Sequence, residues 1–115
     1  MTIKQKIGTD EILLQLAEES AELAQAALKL RRIRAGVNPS PLSQIEAKSN
    51  LIEEIADVMV CIRALELDFL EECRIGCFYD EKIKRWKERL GIDGEKEDDR
   101  TGSVSVGFTS EGNKE

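Results

Sequence analysis

The chain has 115 residues and a net charge of -6, is 41% hydrophobic and 35% charged, and carries only 4% aromatic residues. That length allows one small domain, and the mix of Leu, Ile, Ala, Glu and Lys suits a soluble helical protein far better than a β-sandwich. The acidic balance argues against a general nucleic-acid surface, and the absence of histidine removes Ser-His and Cys-His nucleophile pairs, His-ligated metals and Glu-x-x-His di-iron sites.

Residues 1–8 carry no strong pattern and read as a short arm. Met1-Thr2-Ile3-Lys4-Gln5-Lys6 leads into no uninterrupted apolar run, so no secretory leader is expected. Thr9 or Asp10 is the expected cap of a first helix, with Asp10 and Glu11 in its first turn, where the macrodipole favours acids. From Ile12 to about Arg34 there is neither Gly nor Pro, and Ala, Leu, Glu and Gln give high helix propensity. Arg31, Arg32 and Arg34 make a basic last turn, and Gly36 stands where a left-handed C-cap is expected.

Gly36-Val37-Asn38-Pro39-Ser40-Pro41-Leu42 reads as a loop. Ser43-x-x-Glu46 is a capping box that opens a second helix. Its apolar stripe of Leu51, Ile55, Val58, Ile62 and Leu65 predicts a run to about Leu67. Asp68-x-x-Glu71 starts a third helix over Phe69–Leu90, which Gly91 ends; one unbroken helix from Ser43 to Leu90 is the alternative. Gly76 marks a bend or a close helix contact within it. Beyond Gly91 a charge run, Glu95-Lys96-Glu97-Asp98-Asp99-Arg100, leads into residues rich in Ser, Gly and Thr. A mobile tail over residues 91–115 is expected, with a short strand at Val104, Val106 and Phe108 as the alternative.

No stretch approaches the roughly 20 apolar residues of a membrane span. The three cysteines, Cys61, Cys73 and Cys77, follow no disulfide framework, which points to a reducing cytoplasm. Cys73 and Cys77 share a helix face without a third or fourth ligand nearby, so a zinc site is not expected.

Chemistry is concentrated in two acidic clusters, Glu18-Glu19-Ser20-Ala21-Glu22 and Glu53-Glu54-Ile55-Ala56-Asp57. On a wheel of about 100° per residue the first helix's apolar stripe centres among Leu13, Leu16, Ser20, Leu23, Ala24 and Ala27. Glu19 falls roughly 85° from that centre and Glu22 roughly 145°. On the second helix Glu54 falls roughly 70° and Asp57 roughly 130° from the apolar centre. Glu18 and Glu53 point to solvent. Antiparallel packing of the two helices turns the pairs toward one groove. Oxygen donors at that density, without His or Cys, select Mg²⁺ or Mn²⁺. Glu-x-x-Glu is equally the spacing of an ordinary solvated face, and the geometry leaves both readings open.

Glu18-Glu19-Ser20-Ala21-Glu22 followed by Glu54-Ile55-Ala56-Asp57 resembles the E-E-x-x-E and E-x-x-D motifs of the MazG-like all-α nucleoside triphosphate pyrophosphohydrolases. That superfamily includes dimeric dUTPases, dCTP pyrophosphatases and phosphoribosyl-ATP pyrophosphohydrolases. The resemblance spans about residues 10–90, within an expected helical domain of residues 1–90. It implies that Glu19, Glu22, Glu54 and Asp57 hold Mg²⁺ (or Mn²⁺), with Glu18 and Glu19 as catalytic carboxylates. It further implies cleavage of a nucleoside triphosphate between its α and β phosphates, to a monophosphate and pyrophosphate. Lys82 and Arg85 occupy the basic segment that reaches phosphates in the family, against the plainer reading of a solvated helix end. Trp86 stands where many relatives have Asn and is expected to pack, with base stacking as the alternative.

The expected fold is therefore all-α: a helical hairpin plus a third helix, completed to four-helix packing by a homodimer or a dimer of dimers. The expected partner is a nucleotide, with no nucleic acid and no membrane. The rival readings are a non-catalytic helical interaction module and the phosphoribosyl-ATP pyrophosphohydrolase branch.

Overall fold

A computed structural model describes residues 1–37 and 42–92. The expectation of an all-α fold is met: the described residues form four α-helices and no strand. In chain order these are α1 (Ile3–Ile7), α2 (Thr9–Ala35), α3 (Gln44–Ala64) and α4 (Phe69–Leu90). The expected tail lies outside the described residues from residue 93 on, and with it the Val104–Phe108 alternative. The chain divides into two compact units, Met1–Glu66 and Leu67–Glu115.

The first unit is a hairpin of α2 and α3 with α1 at its open end. The N-terminal arm expected over residues 1–8 is instead a helix. Thr2 accepts from the Gln5 backbone N–H at 3.0 Å while the Gln5 side chain accepts from the Thr2 N–H at 2.8 Å, a capping box that stabilises even this short turn. Gly8 then turns the chain at φ 87°, ψ 162°, a conformation open to Gly alone, and α2 starts at Thr9 with no side-chain cap. Thr9 and Asp10 therefore lie inside the first turn rather than capping it.

Gly36 ends α2 in a left-handed conformation, with Val37 N–H donating to Arg32 C=O and Gly36 N–H to Ile33 C=O, both at 3.1 Å. That is a Schellman motif, and it satisfies two carbonyls the helix end would orphan. Ser43 and Glu46 form the expected capping box at the start of α3. α3 ends at Ala64, three residues short of the expected Leu67, because Glu66 adopts φ 55°. Lys4 Nζ donates to Leu65 C=O at 3.1 Å, so α1 clips a cation onto the negative end of α3.

The second unit contains α4, capped by Asp68 with Glu71 as expected and closed by Gly91 in a second Schellman motif. The break between α3 and α4 excludes the single long helix. Gly76 has open space where a Cβ would stand, so it marks no close helix contact. Arg74 stacks its guanidinium 5.9 Å from the Phe78 ring centroid. None of the described helices is long and apolar enough to cross a membrane.

Candidate metal centre

The site is set by how α2 and α3 pack. The least exposed line along α2 is Ile12, Leu16, Glu19, Leu23, Ala26, Leu30 and Ile33; along α3 it is Ala47, Leu51, Glu54, Val58 and Cys61. Both lines step by four and three residues, the heptad seam of two helices packed side by side. In each seam one position is a carboxylate: Glu19 on α2 and Glu54 on α3.

This differs from the wheel. The seam of α2 is rotated by about 80°, and that of α3 by about 45°, from the centre of the apolar stripe expected on each helix. Both rotations run toward the acids. Glu19 and Glu54, expected beside the core, lie within the seam, and Glu22 and Asp57 move to its edge. Leu13 and Ile55, expected inside, are 47% and 41% exposed on the opposite side of the hairpin.

Glu19, Glu22 and Glu54 each bring a carboxylate oxygen within 4.8 Å of the others. Three of the four expected ligands therefore meet. Asp57 stands outside that trio, on the same side of the hairpin and exposed. Glu18 and Glu53 are exposed and do not join it, in keeping with their expected solvation. Gln15 Nε2 donates to Glu19 Oε2 at 2.9 Å from the turn before. The other oxygen, Glu19 Oε1, is closed off from solvent without a hydrogen-bond partner, and so is Glu54 Oε1.

A carboxylate oxygen out of water without a donor is costly, and two within one acidic cluster are worse. The titration of Glu54 reflects this: loss of solvent pushes its carboxyl above the ordinary value, and Glu22, Asp57, Glu19 and Glu53 push it the same way. Two remedies exist, a shared proton or a cation. The donor set is oxygen only, with no soft ligand within the trio, which suits a hard divalent ion. Cys61, buried one turn beyond Asp57, is held as a neutral thiol: burial raises its pKa, and Glu19 and Asp57 raise it further.

Lys82, Arg85 and Trp86 all lie on α4 in the second unit, and all three are exposed. The sequence did not show the groove beside the carboxylates, about 470 Å³, lined by Glu22, Gln25, Lys29, Arg32, Asn50 and Glu54 together with the apolar Ala26, Leu28 and Ala47. Its signal in the sequence is the heptad register itself, which sets Glu22 and Lys29 seven residues apart on one edge. Comparison with protein-family models, with curated proteins and with solved structures finds no match to this chain.

Proposed function

We propose that the chain is an Mg²⁺-dependent nucleoside triphosphate pyrophosphohydrolase of the MazG-like all-α kind, in which Glu19, Glu22 and Glu54 hold the cation with Asp57 completing the set. The observation that carries this reading is the pair of orphaned oxygens, Glu19 Oε1 and Glu54 Oε1, closed off within a cluster of three carboxylates. They are acceptors placed at a cost and left without a donor from the protein's own groups. The sequence pattern of two acidic motifs supplies the reaction class.

When bound, a divalent ion supplies charge neutralisation at the phosphates and a more acidic water. The protein's own part is to hold the site open and oriented. The seam fixes the Glu19 and Glu54 backbones on two packed helices, and Gln15 holds the second oxygen of Glu19. Glu18, exposed one turn before Glu22, is the candidate to take the proton of the attacking water. Water adds at the α phosphorus, the bridging bond from that phosphorus to the α–β oxygen breaks, and a monophosphate and pyrophosphate leave.

The reading includes a homodimer, or a dimer of dimers, and a cytoplasmic setting in keeping with three free thiols. It is supported by the outward-turned apolar residues Leu13, Ile52, Ile55 and Met59, which no described element buries.

Incubation of the full chain with Mg²⁺ and a panel of nucleotides, with products identified, tests the proposal. Monophosphate and pyrophosphate in equal amounts from at least one nucleotide is the expected result. No product from any of them, or a diphosphate with inorganic phosphate, contradicts it. A non-catalytic interaction module with the same hairpin predicts no turnover and an unchanged cellular phenotype on Glu19→Ala.

A further inference from the structure

The groove beside the carboxylates is two-ended. Glu22 and Glu54 close one end, Lys29 and Arg32 the other, and the amides of Gln25 and Asn50 lie between. Glu22 and Lys29 are separated by seven residues, about 10 Å along the axis of α2. Side chains on a helix lean toward its N-terminus, so Lys29 and Arg32 reach back over the preceding turn toward the acids. Neither cation is ion-paired among the described residues.

The helix dipole accounts for a cation at Arg32, in the last turn of α2. It does not account for Lys29, which lies six residues before the helix end, where the dipole's influence has faded. Asn50 is likewise a poor helix former placed early in α3 and facing the groove. The buried Ala47, 1% exposed, keeps the floor low between them.

A ligand that suits both ends presents hard oxygens for a cation at one end and negative charge for Arg and Lys at the other. A phosphate chain does both: its oxygens ligate hard cations, and guanidinium and ammonium groups bind them by charge-assisted hydrogen bonds. We propose that Lys29, Arg32 and Asn50 form an anion subsite for the distal phosphates, so that a di- or triphosphate chain lies along α2. Its distal end points toward the C-terminal end of α2. This rests on the divalent-cation reading of the carboxylate cluster and deepens it: pyrophosphate departs from the Lys29–Arg32 end.

The test is calorimetric titration of the full chain with inorganic pyrophosphate in Mg²⁺, beside an independent Mn²⁺ titration, for the wild type, Lys29→Gln/Arg32→Gln and the charge-preserving Lys29→Arg/Arg32→Lys. Both residues are exposed, and circular dichroism verifies that the helices persist. Expected is a loss of pyrophosphate affinity of roughly tenfold to a hundredfold in the glutamine variant. Mn²⁺ affinity stays unchanged, and binding recovers in the charge-preserving variant. In turnover, KM for the nucleotide and Ki for pyrophosphate rise together. Equal pyrophosphate affinity in wild type and glutamine variant overturns the subsite and leaves the cation reading standing. So does pyrophosphate that fails to bind wild type carrying Mn²⁺, whereas absence of Mn²⁺ binding removes the cation reading and this inference with it.

Discussion

Glu54 is the residue on which the site turns. Its folded-state pKa is raised above the unfolded value, by loss of solvent first and by Glu22, Asp57, Glu19 and Glu53 after it. The folded protein therefore binds the proton more tightly than the unfolded chain does. Stability from this group is present below the ordinary carboxylate range and is lost as pH rises through the raised value. Metal-free protein should lose thermal stability on that rise, and Glu54→Gln should flatten the loss; a wild-type melting temperature that climbs over the same interval contradicts this. A divalent cation, if the proposed site holds one, should act in the opposite sense at neutral pH: Mn²⁺ at a hundredfold excess over its Kd should add about 2.7 kcal/mol, read as a rise on the order of 10 °C in Tm for a domain this small. At Cys61 the expectation concerns rate. Cys73 and Cys77 are exposed while Cys61 is buried and held as a thiol. A thiol reagent should titrate two groups quickly and the third only on unfolding; three fast groups would contradict the buried placement.

At the scale of elements, helix ends were the most legible part of the sequence. Ser43-x-x-Glu46, Asp68-x-x-Glu71, Gly36 and Gly91 each carry their capping chemistry within four residues, and each caps as expected. Removing one such cap, Ser43→Ala, should cost about 1 kcal/mol, read as a shift in the urea midpoint at constant slope. α1 was missed because five residues give no periodicity, although Thr2-x-x-Gln5 is the same box with an amide. The end of α3 was misplaced because Glu66 takes a left-handed conformation that its residue type does not announce. The orientation of the helices was misread for a different reason. α2 and α3 each carry two apolar sets, one in the seam and one facing outward, and the stripes read from the sequence mix them: Leu16, Leu23, Leu51 and Val58 belong to the seam, Leu13 and Ile55 to the outer set. The resulting centre fell between them and turned Glu19 and Glu54 further from the α2–α3 seam than they stand, although both are half-buried at the edge of the core as expected. The heptad spacing Ile12, Leu16, Glu19, Leu23, Ala26, Leu30, Ile33 resolves the two, and it required knowing which helix face meets its neighbour. The identity of the acids was thus legible, and their confinement was not.

At the scale of the molecule, the hairpin has two unlike sides. One carries Glu22, Asp57, Lys29 and Asn50; the other carries Leu13, Ala27, Ile52, Ile55 and Met59. Among the described residues the buried set is Ile12, Ala47 and Cys61, while Ile52 is 58% exposed. Apolar surface turned outward on that side is what a second copy would cover. Light scattering should give at least the dimer mass, and Ile52→Glu with Met59→Glu should shift it toward the monomer without removing Mn²⁺ binding. A monodisperse monomer at micromolar concentration contradicts the dimer. The polar side holds two closed-off carboxylate oxygens, Glu19 Oε1 and Glu54 Oε1, in a cluster of three acids that is proposed to hold a cation. Titration of the full chain with Mn²⁺, followed by the loss of the free-ion electron paramagnetic resonance signal, measures this directly. Saturable binding in the wild type, abolished in Glu54→Gln at unchanged helicity, is expected. Binding that survives Glu54→Gln, or no saturable binding in the wild type, would contradict it.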